Sequence, residues 1–97
     1  RLQSIYSTED TLALEPFVDK WKSFGWDAIE INGHYHNEIF QSCSNDNNST
    51  TKPLCVIANT IKGKGVSFME NNSLWHYRSP QEEEYKLAMK ELEKKDA

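Results

Sequence analysis

Between Pro53 and Thr60 the chain runs Leu-Cys-Val-Ile-Ala before it meets a polar residue. A short, continuous apolar run bounded by turn residues reads as a strand buried on both faces, as in parallel sheets with helices above and below. An amphipathic strand would alternate. This stretch therefore asks for an α/β fold.

The flanking segments supply the other layers. Phe17, Trp21 and Phe24 recur at i, i+4 and i+7, which predicts a helix over 14–24 with one apolar face. Pro16 suits its first turn, and Gly25 stands where a left-handed C-terminal cap belongs. Ala28, Ile29 and Ile31 mark a short strand ending at Asn32-Gly33. His36–Cys43 reads as a short helix with Ile39 and Phe40 inward. Ser44–Pro53 is a polar, aperiodic loop and is expected to be flexible. The last element is a helix with Ser79 as cap, Pro80 in the first helical position and Glu82 completing a capping box. Tyr85, Leu87, Ala88 and Leu92 would form its inner surface. Two strands with a third suggested by "RLQSIYST" make half a sheet, with raw edges. The chain is therefore expected to be one piece of a larger assembly.

At 97 residues there is room for one small domain at most, and the net charge of −4 argues against nucleic acid as the main partner. No apolar run is long enough to span a membrane. Cys43 and Cys55 fit no metal-binding spacing and read as reduced thiols, which points to the cytoplasm. Asn47, Asn48 and Asn71 each fit Asn-x-Ser/Thr, a pattern that arises easily in asparagine-rich sequence.

"IKGKGVSFMENNSLWHYRSP", residues 61–80, has little to offer a core. Lys62 and Lys64 alternate with glycines directly after the buried strand. In open α/β sheets that is where ligands bind. Glycine lets the backbone approach a ligand, and lysine is a compact cation suited to phosphate oxygens. His76 can donate to an oxyanion or pass a proton near neutral pH. The spacing alone leaves a solvated turn and a phosphate site both open.

The wording of the sequence is more specific. "IANTIKGKGVSFMENNSLWH", with "KWKSFGWDAIEINGH" upstream, resembles the N-terminal section of transketolase, the thiamine-diphosphate-binding half of a ketol-transferring enzyme. The resemblance runs from Arg1 to Leu92, with residues 44–52 as the unmatched part. It implies part of a thiamine-diphosphate-binding fold, a parallel sheet flanked by helices, with 1–97 as its C-terminal portion. It also implies that Lys62 and His76 are catalytic and contact the cofactor diphosphate. Ser4 would lie along the cofactor, and the backbone carbonyl of Leu2 would complete a Mg²⁺ shell. The implied substrates are sugar phosphates and the implied assembly is dimeric. Missing from these residues are the Gly-Asp-Gly metal motif and the pyrimidine-binding section, so the isolated chain is expected to be inactive.

Three departures bear on the site. Where the family usually has glycine after the histidine, this chain has Tyr77 and then Arg78, which could narrow a donor channel or read a different anion. Asn32 replaces an acid, while His34 matches the family and reads as structural. His36 has no assigned role. The alternatives are a non-catalytic structural module, or another thiamine-diphosphate enzyme such as a relative of deoxyxylulose phosphate synthase.

Overall fold

A computed structural model describes residues 1–44 and 51–94. The elements are α1 (Thr8–Thr11), α2 (Phe17–Ser23), β1 (Asp27–Asn32), α3 (His36–Cys43), β2 (Leu54–Asn59), a 3₁₀ turn (Ser73–His76) and α4 (Glu82–Glu93). None of the helices is long and apolar enough to cross a membrane, among the described residues. The described residues form two compact units, one of Arg1 with residues 9–44 and 51–60 and one of residues 2–8 with 61–94.

The first unit is a β-α-β arrangement. β1 and β2 pair in parallel, with Asp27 opposite Leu54 and Asn32 opposite Asn59. Helix α2 packs on β1, and α3 packs on both strands. The expected α/β class and parallel pairing are present. The expected full burial of β2 is not: Leu54 to Ile57 are half-buried, and Ala58 is exposed. With one neighbour each, neither strand is enclosed. "RLQSIYST" forms no third strand but an isolated antiparallel bridge between Leu2 and Ser7.

Helix α2 is shorter than its apolar spacing predicts. The Glu9 carboxylate accepts the N–H groups of Leu14 and Glu15, turning the chain before the helix. Pro16 is the N-cap, not the first helical residue. It has no polar side chain, so Glu15 accepts the Phe17 N–H instead, and Arg1 pairs with Glu15 at 3.2 Å. At the other end Gly25 has φ of 86°. Gly25 N–H donates to Lys22 O and Trp26 N–H to Trp21 O, the two bonds of a Schellman cap. This cap sets the packing. Trp26 lies edge-on to Trp21 with centroids 4.9 Å apart, a contact worth about 0.5–1.5 kcal/mol beyond its area. Phe24, expected on the inner face, is 83% exposed at the cap.

Helix α3 turns a different face inward. Ile39 is half-buried and Ser42 is buried, its hydroxyl donating to Ile39 O. Phe40, expected inside, is 75% exposed, because successive helical residues point about 100° apart. Most of the loop expected at 44–53, with Asn47 and Asn48, lies outside the described residues.

The second unit is built on a closed loop. Asn71 N–H donates to Lys62 O at 2.9 Å, joining the ends of residues 62–71. Within it Gly65 N–H donates to the Glu70 carboxylate at 3.1 Å, and Met69 and Glu70 N–H both donate to Val66 O. Val66 is buried. Gly63 has φ of 75°, and a Cβ there would collide with Met69 O. Both the dihedral and the space require glycine.

Helix α4 begins later than expected. Its capping box is Gln81 with Glu84, not Ser79 with Glu82. Ser79 precedes Pro80 and is biased towards extended backbone, so helix starts beyond the proline. Of the four residues expected on its inner surface only Ala88 is buried. Tyr85, Leu87 and Leu92 are exposed.

These two glycines make different predictions. Gly25→Ala meets nothing within 4 Å and should cost only the left-handed penalty, about 1 kcal/mol. Gly63→Ala adds a backbone clash and should cost more than about 2 kcal/mol. Thermal denaturation of the two variants side by side measures this. Equal melting temperatures would mean that the 62–71 loop is not closed as described.

Candidate functional site

The loop positions Lys62, three residues past the end of β2. Lys62 O is held by Asn71 N–H, so its side chain leaves an anchored backbone. After Asn71 (φ 54°) the chain enters the 3₁₀ turn, whose cap is the Asn72 side chain accepting the Leu74 N–H at 3.1 Å. That turn ends at His76. Lys62 Nζ stands 3.5 Å from His76 Nδ1, at the outer limit of a hydrogen bond. An ammonium only donates, so Lys62 donates in this contact when Nδ1 carries the lone pair, the tautomer that has the ring proton on Nε2. The pair thus presents an ammonium and an imidazole N–H together. Both are donors, which suits an anionic oxygen.

The neighbouring lysine is placed differently. Lys64 Nζ lies 3.9 Å from Glu70, the same carboxylate that accepts Gly65 N–H. Among the described residues no carboxylate forms an ion pair with Lys62. Of the two lysines in the glycine turn, Lys62 is the half-buried one, and Lys64 is the exposed one that pairs with Glu70.

His76 is exposed, and the residue before it in the chain is anchored. Trp75 is half-buried, with its indole N–H donating to Phe68 O at 3.1 Å and its ring 5.2 Å from that of Phe68. Tyr77 sits edge-on to His76 at 4.6 Å. It also borders an open groove of about 450 Å³ with Ile5, Leu74 and Arg78.

Arg78, considered as an anion reader, is already engaged. Its guanidinium lies 4.9 Å from the centre of the Trp75 ring and 2.5 Å from Glu84. Sequence reasoning missed Glu84, because a separation of six residues across a helix start follows no pairing rule. It also missed Glu91, whose carboxylate accepts both the N–H and the hydroxyl of Ser67 at 2.6 Å. The roles of Glu70 and Asn71 in closing the loop were likewise not read from the sequence.

The remaining residues fall elsewhere. Leu2 and Ser4 lie in the small turn closed by the Leu2–Ser7 bridge. Leu2 is half-buried and Ser4 is exposed. Asn32 and His34 belong to the first unit, where Asn32 Oδ1 accepts the His34 N–H at 3.0 Å. An aspartate would serve that turn equally, which accounts for the exchange. His36 opens α3.

The donor set of Lys62 and His76 fits a diphosphate. It does not by itself fit Mg²⁺, which requires about six oxygens in octahedral array. Leu2 offers one carbonyl, and among the described residues no three His, Cys, Asp or Glu side chains are grouped to hold a metal ion.

No family model matches the chain. It is 39% identical over 92 residues to one of the subunits of apulose-4-phosphate transketolase from Phocaeicola vulgatus, covering 95% of this chain and 33% of that protein. Similarity to the 6-deoxy-6-sulfo-D-fructose transketolase subunit SqwG of Clostridium sp. is 41% over 90 residues, covering 93% and 33%. Human transketolase is 30% identical over 63 residues, covering 65% of this chain and 10% of its own length. The chain spans about a third of the bacterial relatives it matches. Along nearly its whole length, this chain belongs by sequence to the transketolase family.

Proposed function

We propose that this chain contributes the Lys62–His76 part of a transketolase-type active site, moving a two-carbon ketol unit from a ketose to an aldose. The observation that carries this reading is the pairing of Lys62 with His76 at 3.5 Å on a closed loop. Thiamine diphosphate, when bound, supplies the thiazolium carbon that carries the two-carbon unit. Lys62 and the His76 Nε2–H would offset negative charge on diphosphate oxygens and on the sugar oxygen that gains charge as the bond breaks. Such donors act electrostatically and need no rearrangement. Leu2 O and Ser4 are proposed to border the cofactor, with the remaining Mg²⁺ ligands coming from other transketolase segments.

The relatives' names refer to a sugar phosphate and a sulfo-sugar, so an anionic ketose is the proposed donor class. Those names also refer to subunits. The exposed apolar side chains of Phe24, Phe40 and Tyr85 support partner segments covering this chain. A dimeric assembly in the cytoplasm is proposed with them, and the free thiols of Cys43 and Cys55 are in keeping with it.

Two substitutions test the reading in the assembled enzyme. His76→Ala should lower kcat by about 10²-fold or more while the circular dichroism stays that of the parent. Unchanged turnover would remove His76 from the site. Lys62→Ala should weaken thiamine diphosphate binding by about tenfold or more, as expected for loss of a charge-assisted hydrogen bond. Titration calorimetry measures it, and an unaltered Kd would assign Lys62 to a solvated turn.

A further inference from the structure

Behind His76 a circuit of contacts closes on itself. Ser67 and Phe68 lie at the far side of the 62–71 loop. Phe68 O accepts the Trp75 indole N–H. The Trp75 ring carries the Arg78 guanidinium, which pairs with Glu84. Glu84 stands in the first turn of α4, and Glu91, two turns on, returns to Ser67 through both carboxylate oxygens. Residues seven apart share one helical face. The circuit therefore links the lysine loop to the histidine turn through one rigid helix.

We propose that Arg78 and Glu84 are positioning residues, which hold Trp75 and so place the His76 imidazole against Lys62. This deepens the transketolase reading and rests on it. Arg78 suits the task because a planar guanidinium can stack on an indole and meet a carboxylate in the same pose. Glu84 suits it because its other oxygen already accepts the Gln81 N–H at 3.0 Å, which pins the carboxylate to the start of α4. Arg78 is then a brace with its charge already matched, and not a reader of the substrate's anionic group.

The test uses the assembled enzyme with Arg78→Met, Arg78→Lys, Glu84→Gln and the double variant Arg78→Met/Glu84→Gln. Glutamine can keep the capping-box acceptor for Gln81 while an NH₂ donor replaces the oxygen that faces Arg78, so Glu84→Gln should fold and break the pair. Arg78→Met and Glu84→Gln are each expected to lower kcat about tenfold, with KM for the donor within about twofold of the parent. The double variant should be no slower than the slower single, as for two parts of one brace. Arg78→Lys should not rescue, since an ammonium has no flat face for Trp75. A rise in KM for anionic donors with kcat intact, and a silent Glu84→Gln, would overturn the proposal and make Arg78 a substrate contact. If His76→Ala abolishes turnover while these variants match the parent, positioning fails alone. If His76→Ala itself is fully active, the transketolase reading fails first.

Discussion

The hydrogen bond from Asn71 N–H to Lys62 O is the constraint on which the second unit depends. It turns a stretch with poor helix and strand propensity into a closed loop. Everything inside then has a fixed length in which to satisfy its backbone. Glu70 takes the Gly65 N–H, Val66 O takes two N–H groups, and Gly63 accepts the dihedral and the close contact with Met69. The buried side chain of Val66 is the apolar anchor of this arrangement. Without the closure, Lys62 would hang from a mobile turn and its distance to His76 would not be defined.

The two units reach order by different physical means. The first uses regular secondary structure, with a parallel pair, a crossover helix and a Schellman cap that sets two tryptophans edge to face. The second uses side chain to backbone bonds, with Glu70, Glu91, Asn72 and Trp75 each holding a main-chain group. Apolar burial is modest in both. Among the described residues, Ala28, Val66 and Ala88 are the buried hydrophobic ones. Directional contacts therefore do more of the shaping than a large core would.

Much of the first unit was legible because its signals are local. The unbroken apolar run of β2, the alternation near Ile29 and the glycine after α2 each depend on neighbours in sequence. Burial was less legible. Phe24, Phe40 and Leu87 are apolar, yet each is exposed, since which face of a helix turns inward is decided by the elements it packs on. Site residues divide in the same way. Lys62 and His76 stood out through motif words in the sequence, while Glu84 and Glu91 look like any other acid on a solvated helix. Their roles come from tertiary reach, which spans 24 residues between Ser67 and Glu91. Leu2 and Ser4 were named through family likeness alone, and no local pattern marks them.

The doubly tethered α4 has a consequence for how this sequence can change length. Glu84 and Glu91 engage their partners from one face, and two turns of helix set the spacing between them. One inserted residue between them would rotate Glu91 by about 100° and advance it about 1.5 Å, taking its carboxylate off Ser67. Beyond Glu91 an insertion would disturb neither tether. The helix thus works as a ruler over its middle section, where tolerance of insertions and deletions should be least.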